Sequence, residues 1–199
     1  MRKFVPSYEG NLRKHALSVP RCISECSGIR VFGRRIKSLV FSTDVAIIKN
    51  INADAIIAVY PFTPQPAITQ AIIGVSEVPV FCGVGGGLTN SVRSASMAAY
   101  VEHQGAYGVV CNSKIGMETI RDIKDAVEIV NVSGAARTPE IVAALRQQYP
   151  ELPIIATGGP TEESILATIR AGANAITYTP PSSASLFAKT MAANRSELT

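Results

Sequence analysis

The sequence predicts an α/β protein built on one parallel, barrel-like sheet, and three observations predict it. Short apolar, β-branched runs recur from residue 38 onward, each followed by a loop rich in Gly, Pro, Ser, Thr or Asn and then by a stretch of helical periodicity. The runs are apolar on both alternating faces, which suits strands covered by helices on one side and packed core on the other. The spacing of roughly 20–27 residues fits one βα unit each. The composition agrees: 199 residues, 47% hydrophobic and 17% charged, sufficient for a single domain with a sizeable core.

The units read in order. Ser38–Ser42 is the first strand, with Thr43-Asp44 as cap and Val45–Asn50 as helix. Ala55–Tyr60 is the second, with the loop Pro61–Pro66 and a helix over Ala67–Gly74. Val78–Cys82 is the third, with the loop Gly83–Gly87 and a helix over Asn90–Gln104. Tyr107–Cys111 leads through Asn112–Gly116 to a helix from Met117 to about Lys124. Val127–Val132 is the fifth strand, with the loop Ser133–Ala136. Thr138 and Pro139 then open a helix as N-cap and first helical residue. Pro153–Thr157 and Asn174–Thr179 are the sixth and seventh, each followed by a turn and a helix.

Seven consecutive units favour a closed TIM (β/α)8-type barrel over an open doubly wound sheet, one βα unit short or irregular. The shortage falls between Cys111 and Asn131, where twenty positions hold one helix and the next strand. Ile29–Phe32 supplies an extra strand, or the barrel has seven strands or a gap, or the sequence lacks a segment near Val127-Glu128. The whole chain, 1–199, reads as one TIM-barrel domain, with 1–37 a basic arm and 38–199 the βα units.

The arm holds nine Lys/Arg against two Glu, and the remainder holds ten against thirteen Asp/Glu. Such an arm contacts an anionic surface, or is simply solvated. Trp is absent and aromatics are 6%, which weighs against a nucleic-acid partner that stacks bases. No apolar run approaches the ~20 residues of a membrane span, and the N-terminus lacks a secretory pattern, so a cytoplasmic protein without a membrane partner is expected. Cys22, Cys26, Cys82 and Cys111 are scattered, without a second ligand pair, and read as reduced thiols with no metal site.

The stretches Pro153-Ile-Ile-Ala-Thr-Gly-Gly-Pro160 and Ala171-Gly-Ala-Asn-Ala-Ile-Thr-Tyr-Thr179 resemble the end of a phosphate-binding TIM barrel of the ribulose-phosphate type. More narrowly, the span from about Arg34 to Phe187 is similar to a bacterial family of TIM-barrel proteins often labelled only "hydrolase". The likeness rests on Gly33–Asp44, Val59–Pro66, Val80–Gly87, Asn131–Ala136 and Ile154–Pro181. That family is similar to a full eight-unit barrel. The unit before Asn131-Val-Ser-Gly134 is absent here, which exposes a seam of the kind relieved by association, as in a homo-oligomer.

In such barrels chemistry sits at the C-terminal ends of the strands. Gly158 and Gly159 let a backbone approach an anion closely, and Ser182 and Ser183 open a helix, so the four form the phosphate cup the resemblance implies. The plainer reading is a tight turn and a helix cap. Asp44 is the one carboxylate at a strand end. It is a general base with a raised pKa, or an N-cap. Lys114 suits imine chemistry of the aldolase type, or is an exposed loop lysine. Thr63, Gln65, Cys82, Gly83, Gly85, Asn131, Ser133, Thr157 and Tyr178 are candidates to line the substrate. Neither a triad, a carboxylate pair nor a strand-end His supports the hydrolase label. The expected function is an enzyme acting on a small phosphorylated metabolite by lyase, isomerase or synthase chemistry, with no cofactor required. The alternatives are a non-catalytic sensor of such a ligand, a barrel binding flavin mononucleotide (FMN), and a hydrolase as the family label suggests.

Overall fold

The computed structural model describes residues 6–7, 17–85, 89–111, 117–126 and 139–196. Among the described residues six strands form one parallel sheet: β3 (Ser38–Phe41), β4 (Ala55–Ala58), β5 (Val80–Gly85), β6 (Gly108–Cys111), β7 (Ile155–Thr157) and β8 (Ala175–Tyr178), in the order β6-β5-β4-β3-β8-β7. The last strand therefore pairs with the first barrel strand, Val40 opposite Tyr178 and Leu39 opposite Thr177. That pairing makes the sheet a curled TIM-type barrel rather than a doubly wound sheet. Among the described residues β6 and β7 are its two edges. The expected strand Val127–Val132 lies outside the described residues, as do Lys114, Asn131 and Ser133.

The helices follow the strands as the sequence pattern demands: α1 (Val45–Asn50), α2 (Pro66–Val75), α3 (Ser91–His103), α4 (Met117–Ala126), α5 (Pro139–Gln148), α6 (Glu162–Arg170) and α7 (Ser183–Ser196). Their starts carry local signals. Asn90 accepts from Arg93 N–H at 2.9 Å, and Thr161 forms a reciprocal cap with Ser164. Pro66 opens α2, where its missing N–H costs nothing.

Strand alternation sorts the core into two layers. Val40, Ile56, Ala58, Val80, Cys82 and Val109 face the helices, together with Ile48, Ile72, Met97, Ala98 and Val101. Leu39, Ala55, Ile57, Phe81, Ile155 and Ala175 share the inner cluster, joined by Ile29 and Ile36. Those last two belong to an antiparallel hairpin, β1 (Ile29–Val31) and β2 (Arg34–Ile36), separate from the main sheet. Ile29–Phe32 is thus not an extra barrel strand. Its turn needs positive φ at Phe32 (46°) and Gly33 (80°), which suits a two-residue hairpin loop and keeps the pair local.

The hairpin closes the end of the barrel where the strands begin. Asp54 fixes it there: its Oδ2 accepts from Lys37 N–H at 2.9 Å, Ser38 N–H at 3.0 Å and Ser38 Oγ at 3.0 Å. Just upstream, a single 3-10 turn, Arg21–Glu25, lies against α6. Its Cys22 and Ile23, with Cys26, are buried with Ala156 and Ile176 on the outer face of β7 and β8 and with Ile165 of α6. Part of the basic arm therefore forms a wall of the barrel.

Candidate functional site

The C-terminal ends of β7 and β8 bound a cleft of about 860 Å³. Thr157, Gly159 and Pro160 form one side, Thr177–Pro181 the other, with Glu162 and Ile165 of α6 and Pro20 and Arg21 of the arm. Thr157 and Thr177 are ladder partners on the inner face, and their hydroxyls lie 3.3 Å apart. Arg21 and Glu162, both exposed, are the charged residues of this rim, and the Glu162 side chain is also a hydrogen-bond partner of Cys22. The cleft thus carries Arg21, Glu162 and four hydroxyl-bearing residues, Thr157, Thr177, Tyr178 and Thr179.

Gly158 and Gly159 shape the cleft in different ways. A Cβ on Gly158 would stand 2.6 Å from Ile165 Cγ1 and 2.9 Å from Ile176 Cγ2, so α6 can close on the sheet only with glycine there. Gly159 has φ +84°, and a Cβ would meet Ser164 Oγ at 2.6 Å. The Gly-Gly pair lets the chain turn directly from β7 into the capped start of α6.

Ser182 and Ser183 stand at the start of α7, and their polar groups have partners. Ser182 Oγ accepts from Ser185 N–H at 3.2 Å. Ser183 donates both N–H (3.1 Å) and Oγ (2.5 Å) to Asp44 Oδ2. Asp44 Oδ1 accepts from Ala46 N–H at 3.0 Å and Ile47 N–H at 3.3 Å. One carboxylate therefore caps both α1 and α7. The Ser183 hydroxyl, with burial opposing and the backbone donors assisting, holds Asp44 below the usual carboxylate range. The raised pKa expected for a general base in an apolar mouth is reversed, because the carboxylate sits among donors. An anion at the start of α7 would share that space with Asp44.

The other expected lining residues separate. Cys82 is fully buried on the outer, helix-facing layer, and burial pushes its thiol up to about 12. It does not reach the mouth, because strand parity turns it away. Gly83 and Gly85 were expected in a loop but lie within β5, where the register with β6 shifts between them. A Cβ on Gly83 would meet Val59 Cγ2 at 3.0 Å, and Gly85 has φ +114° against Thr89 and Ser94. These glycines serve a bulge and close packing. Gln65 begins α2, its N–H donating to the Tyr60 hydroxyl at 2.6 Å, and neither it nor the half-buried Thr63 lines the cleft. Tyr178 lines the cleft from the outer layer, while Thr157 lines it from the inner one.

The sequence reading passed over Thr177, Thr179 and Arg21. Thr177 shares its face with Ala175, the buried inner residue of β8, a parity that the apolar run itself does not reveal. Arg21 carried no local signal, since only the return of the arm against α6 brings it here. Among the described residues no group of His, Cys, Asp and Glu is arranged to hold a metal ion. No described helix is long and apolar enough to cross a membrane.

No protein-family description matches the chain, and no curated protein matches it. Solved structures do. A protein described as a phosphonomutase from Burkholderia cenocepacia J2315 superposes with TM-score 0.54 at 15% identity, covering 81% of this chain and 93% of that one. Phosphoenolpyruvate phosphomutase from Streptomyces platensis subsp. rosaceus gives 0.55 at 14%, covering 79% and 80%. A protein described as a dihydrodipicolinate synthetase from Pseudomonas aeruginosa gives 0.50 at 14%, covering 64% of this chain and 59% of its own. At these identities the likeness is one of fold: a TIM-type barrel.

Proposed function

We propose that this chain is an enzyme acting on a small phosphorylated metabolite by lyase, isomerase or synthase chemistry, in the cleft above β7 and β8. The observation that carries the reading is the meeting of Arg21 with the Thr157–Thr177 hydroxyl pair and Gly159 around one cavity. The cavity lies at the strand ends where (β/α)8 enzymes work. The phosphate sits on the Gly158-Gly159 turn beside Arg21, not at Ser182 and Ser183, whose groups serve the helix cap. Glu162 accepts from a hydroxyl of the same ligand. Lys114, three residues beyond β6, is the group that moves a proton or forms an imine, while Asp44 positions α1 and α7. The barrels named phosphoenolpyruvate phosphomutase and dihydrodipicolinate synthetase are enzymes of small metabolites on this fold.

The test is a thermal-shift panel of methyl phosphate, sugar phosphates and FMN on the protein and its Arg21→Ala and Thr157→Val variants. A ligand at about 100 times its Kd adds about 2.7 kcal/mol of stability. Stabilisation that both variants lose supports the site, and a panel without any shift overturns it. The compound that shifts is then followed by phosphorus NMR. Conversion by the protein but not by Lys114→Met supports an enzyme, and an unchanged compound leaves a sensor. Stabilisation by FMN with retained visible absorbance would replace the metabolite with a flavin.

A further inference from the structure

Phe41 is the last residue of β3 and shares its inner face with Leu39 by strand alternation. Leu39 is fully buried, and Ile57, the ladder partner of Phe41, is 3% exposed. Phe41 is 39% exposed. An aromatic ring on the interior wall of a barrel normally gains stability from burial, and this one is left open at the mouth. The register says what it is open to. Val40 pairs with Tyr178 as the last pair of the ladder, so the next residues along, Phe41 and Thr179, leave the sheet side by side, and Thr179 lines the cleft. On the other side of β3, the loop after β4 carries Phe62, 69% exposed. The ends of two paired strands thus present aromatic surface next to the cleft that carries Arg21 and Glu162.

We propose that the ligand of this site joins its anionic head to an apolar group, aryl or branched acyl, which seats on Phe41. The inference rests on the reading of the cleft given above. It adds the substrate class, an amphipathic phosphomonoester in place of a fully hydroxylated sugar phosphate, and the residue that selects it.

The experiment compares methyl phosphate with phenyl phosphate, two monoesters sharing a head group, by titration calorimetry. The protein is expected to bind phenyl phosphate at least tenfold more tightly. Phe41→Ala should bring the two within about twofold while methyl phosphate affinity holds. Phe41→Leu, which keeps an apolar side chain, should fall between. Phe32→Ala, at the opposite end of the barrel, should keep the full preference. Equal binding of the two esters by the unaltered protein overturns this inference and leaves the parent reading standing. A preference that survives Phe41→Ala overturns the assignment to Phe41. Failure of both esters to bind overturns the cleft reading and this inference together.

Discussion

Asp44 and Ser183, 139 residues apart, are joined by two hydrogen bonds to one carboxylate oxygen, 3.1 Å from the backbone N–H and 2.5 Å from Oγ. The other oxygen caps α1. The first βα unit and the helix after the last strand are thereby locked across the β3–β8 junction, the place where a barrel must close on itself. Asp44→Ala removes both caps and should cost about 2 kcal/mol, by analogy with single caps worth 0.5–2 each. Urea unfolding at pH 7 measures it.

The same pair fixes the sign of a pH effect. The folded state holds Asp44 below the ordinary carboxylate value, so its contribution is complete above about pH 4, the unfolded value, and fades as pH falls through the folded one. The stability gap between the unaltered protein and Asp44→Ala should therefore narrow on acidification. A gap that is constant from pH 7 to pH 3 would show that the carboxylate charge contributes nothing.

Gly158 tests how tightly α6 sits on the sheet. Its missing Cβ leaves room for Ile165 and Ile176, and both are core residues, 3% and 0% exposed. Gly158→Ala should destabilise by about 1–3 kcal/mol through overpacking. Gly158→Ala with Ile165→Ala should cost less than the sum of the two single losses, since Ile165→Ala removes the Cγ1 that stands nearest the new Cβ. Denaturant midpoints of the single and double variants decide it; additive losses would place the strain elsewhere.

The strands were legible because β-branched runs such as Ala55–Ala58 are buried at every position, and a run of that kind has few other uses. The caps at Asp44 and Ser182 were among the readings the sequence offered, since a short oxygen-bearing side chain before a helix can accept from its first free N–H groups. Strand parity was not. Leu39 and Val40 are both apolar and both fully buried, so the sequence cannot say which faces the mouth, and Cys82 and Thr177 were misjudged accordingly. Arg21 depended on a contact between the arm and α6, a non-local term that no periodicity reports.

Asn174 and Arg146 form the counterpart of the Asp44 lock at the other end of β8. Asn174 Oδ1 accepts from Arg146 Nη2 at 2.6 Å and from the Ile154 N–H at 2.8 Å, and its Nδ2 donates to Ser27 Oγ at 2.9 Å. Arg146 also donates to the Gly172 carbonyl at 2.9 Å and the Leu152 carbonyl at 2.9 Å. Asn174→Ala strands a backbone N–H on Ile154, which is 2% exposed, and should cost about 1–3 kcal/mol. Asn174→Asp keeps the acceptor for Arg146 and Ile154 and should cost less. Equal losses in the two variants would mean that the amide donor to Ser27 carries the effect.

Cys82 gives a prediction on the alkaline side. Burial pushes its thiol up to about 12, and Cys26 to about 11, against an ordinary value near 8.5–9. Above pH 9 the unfolded chain releases these protons and the folded one retains them. Unfolding is then favoured progressively, and stability falls as pH rises from about 9 toward 11. Cys82→Ala removes one of these groups, so it should flatten that fall while costing some packing at pH 7. The same burial protects the thiols: a disulfide reagent at pH 8 should label the half-buried Cys111 first, and Cys26 and Cys82 only on unfolding. Labelling of Cys82 at the rate of Cys111 in the native protein would show that β5 does not face the helices as described.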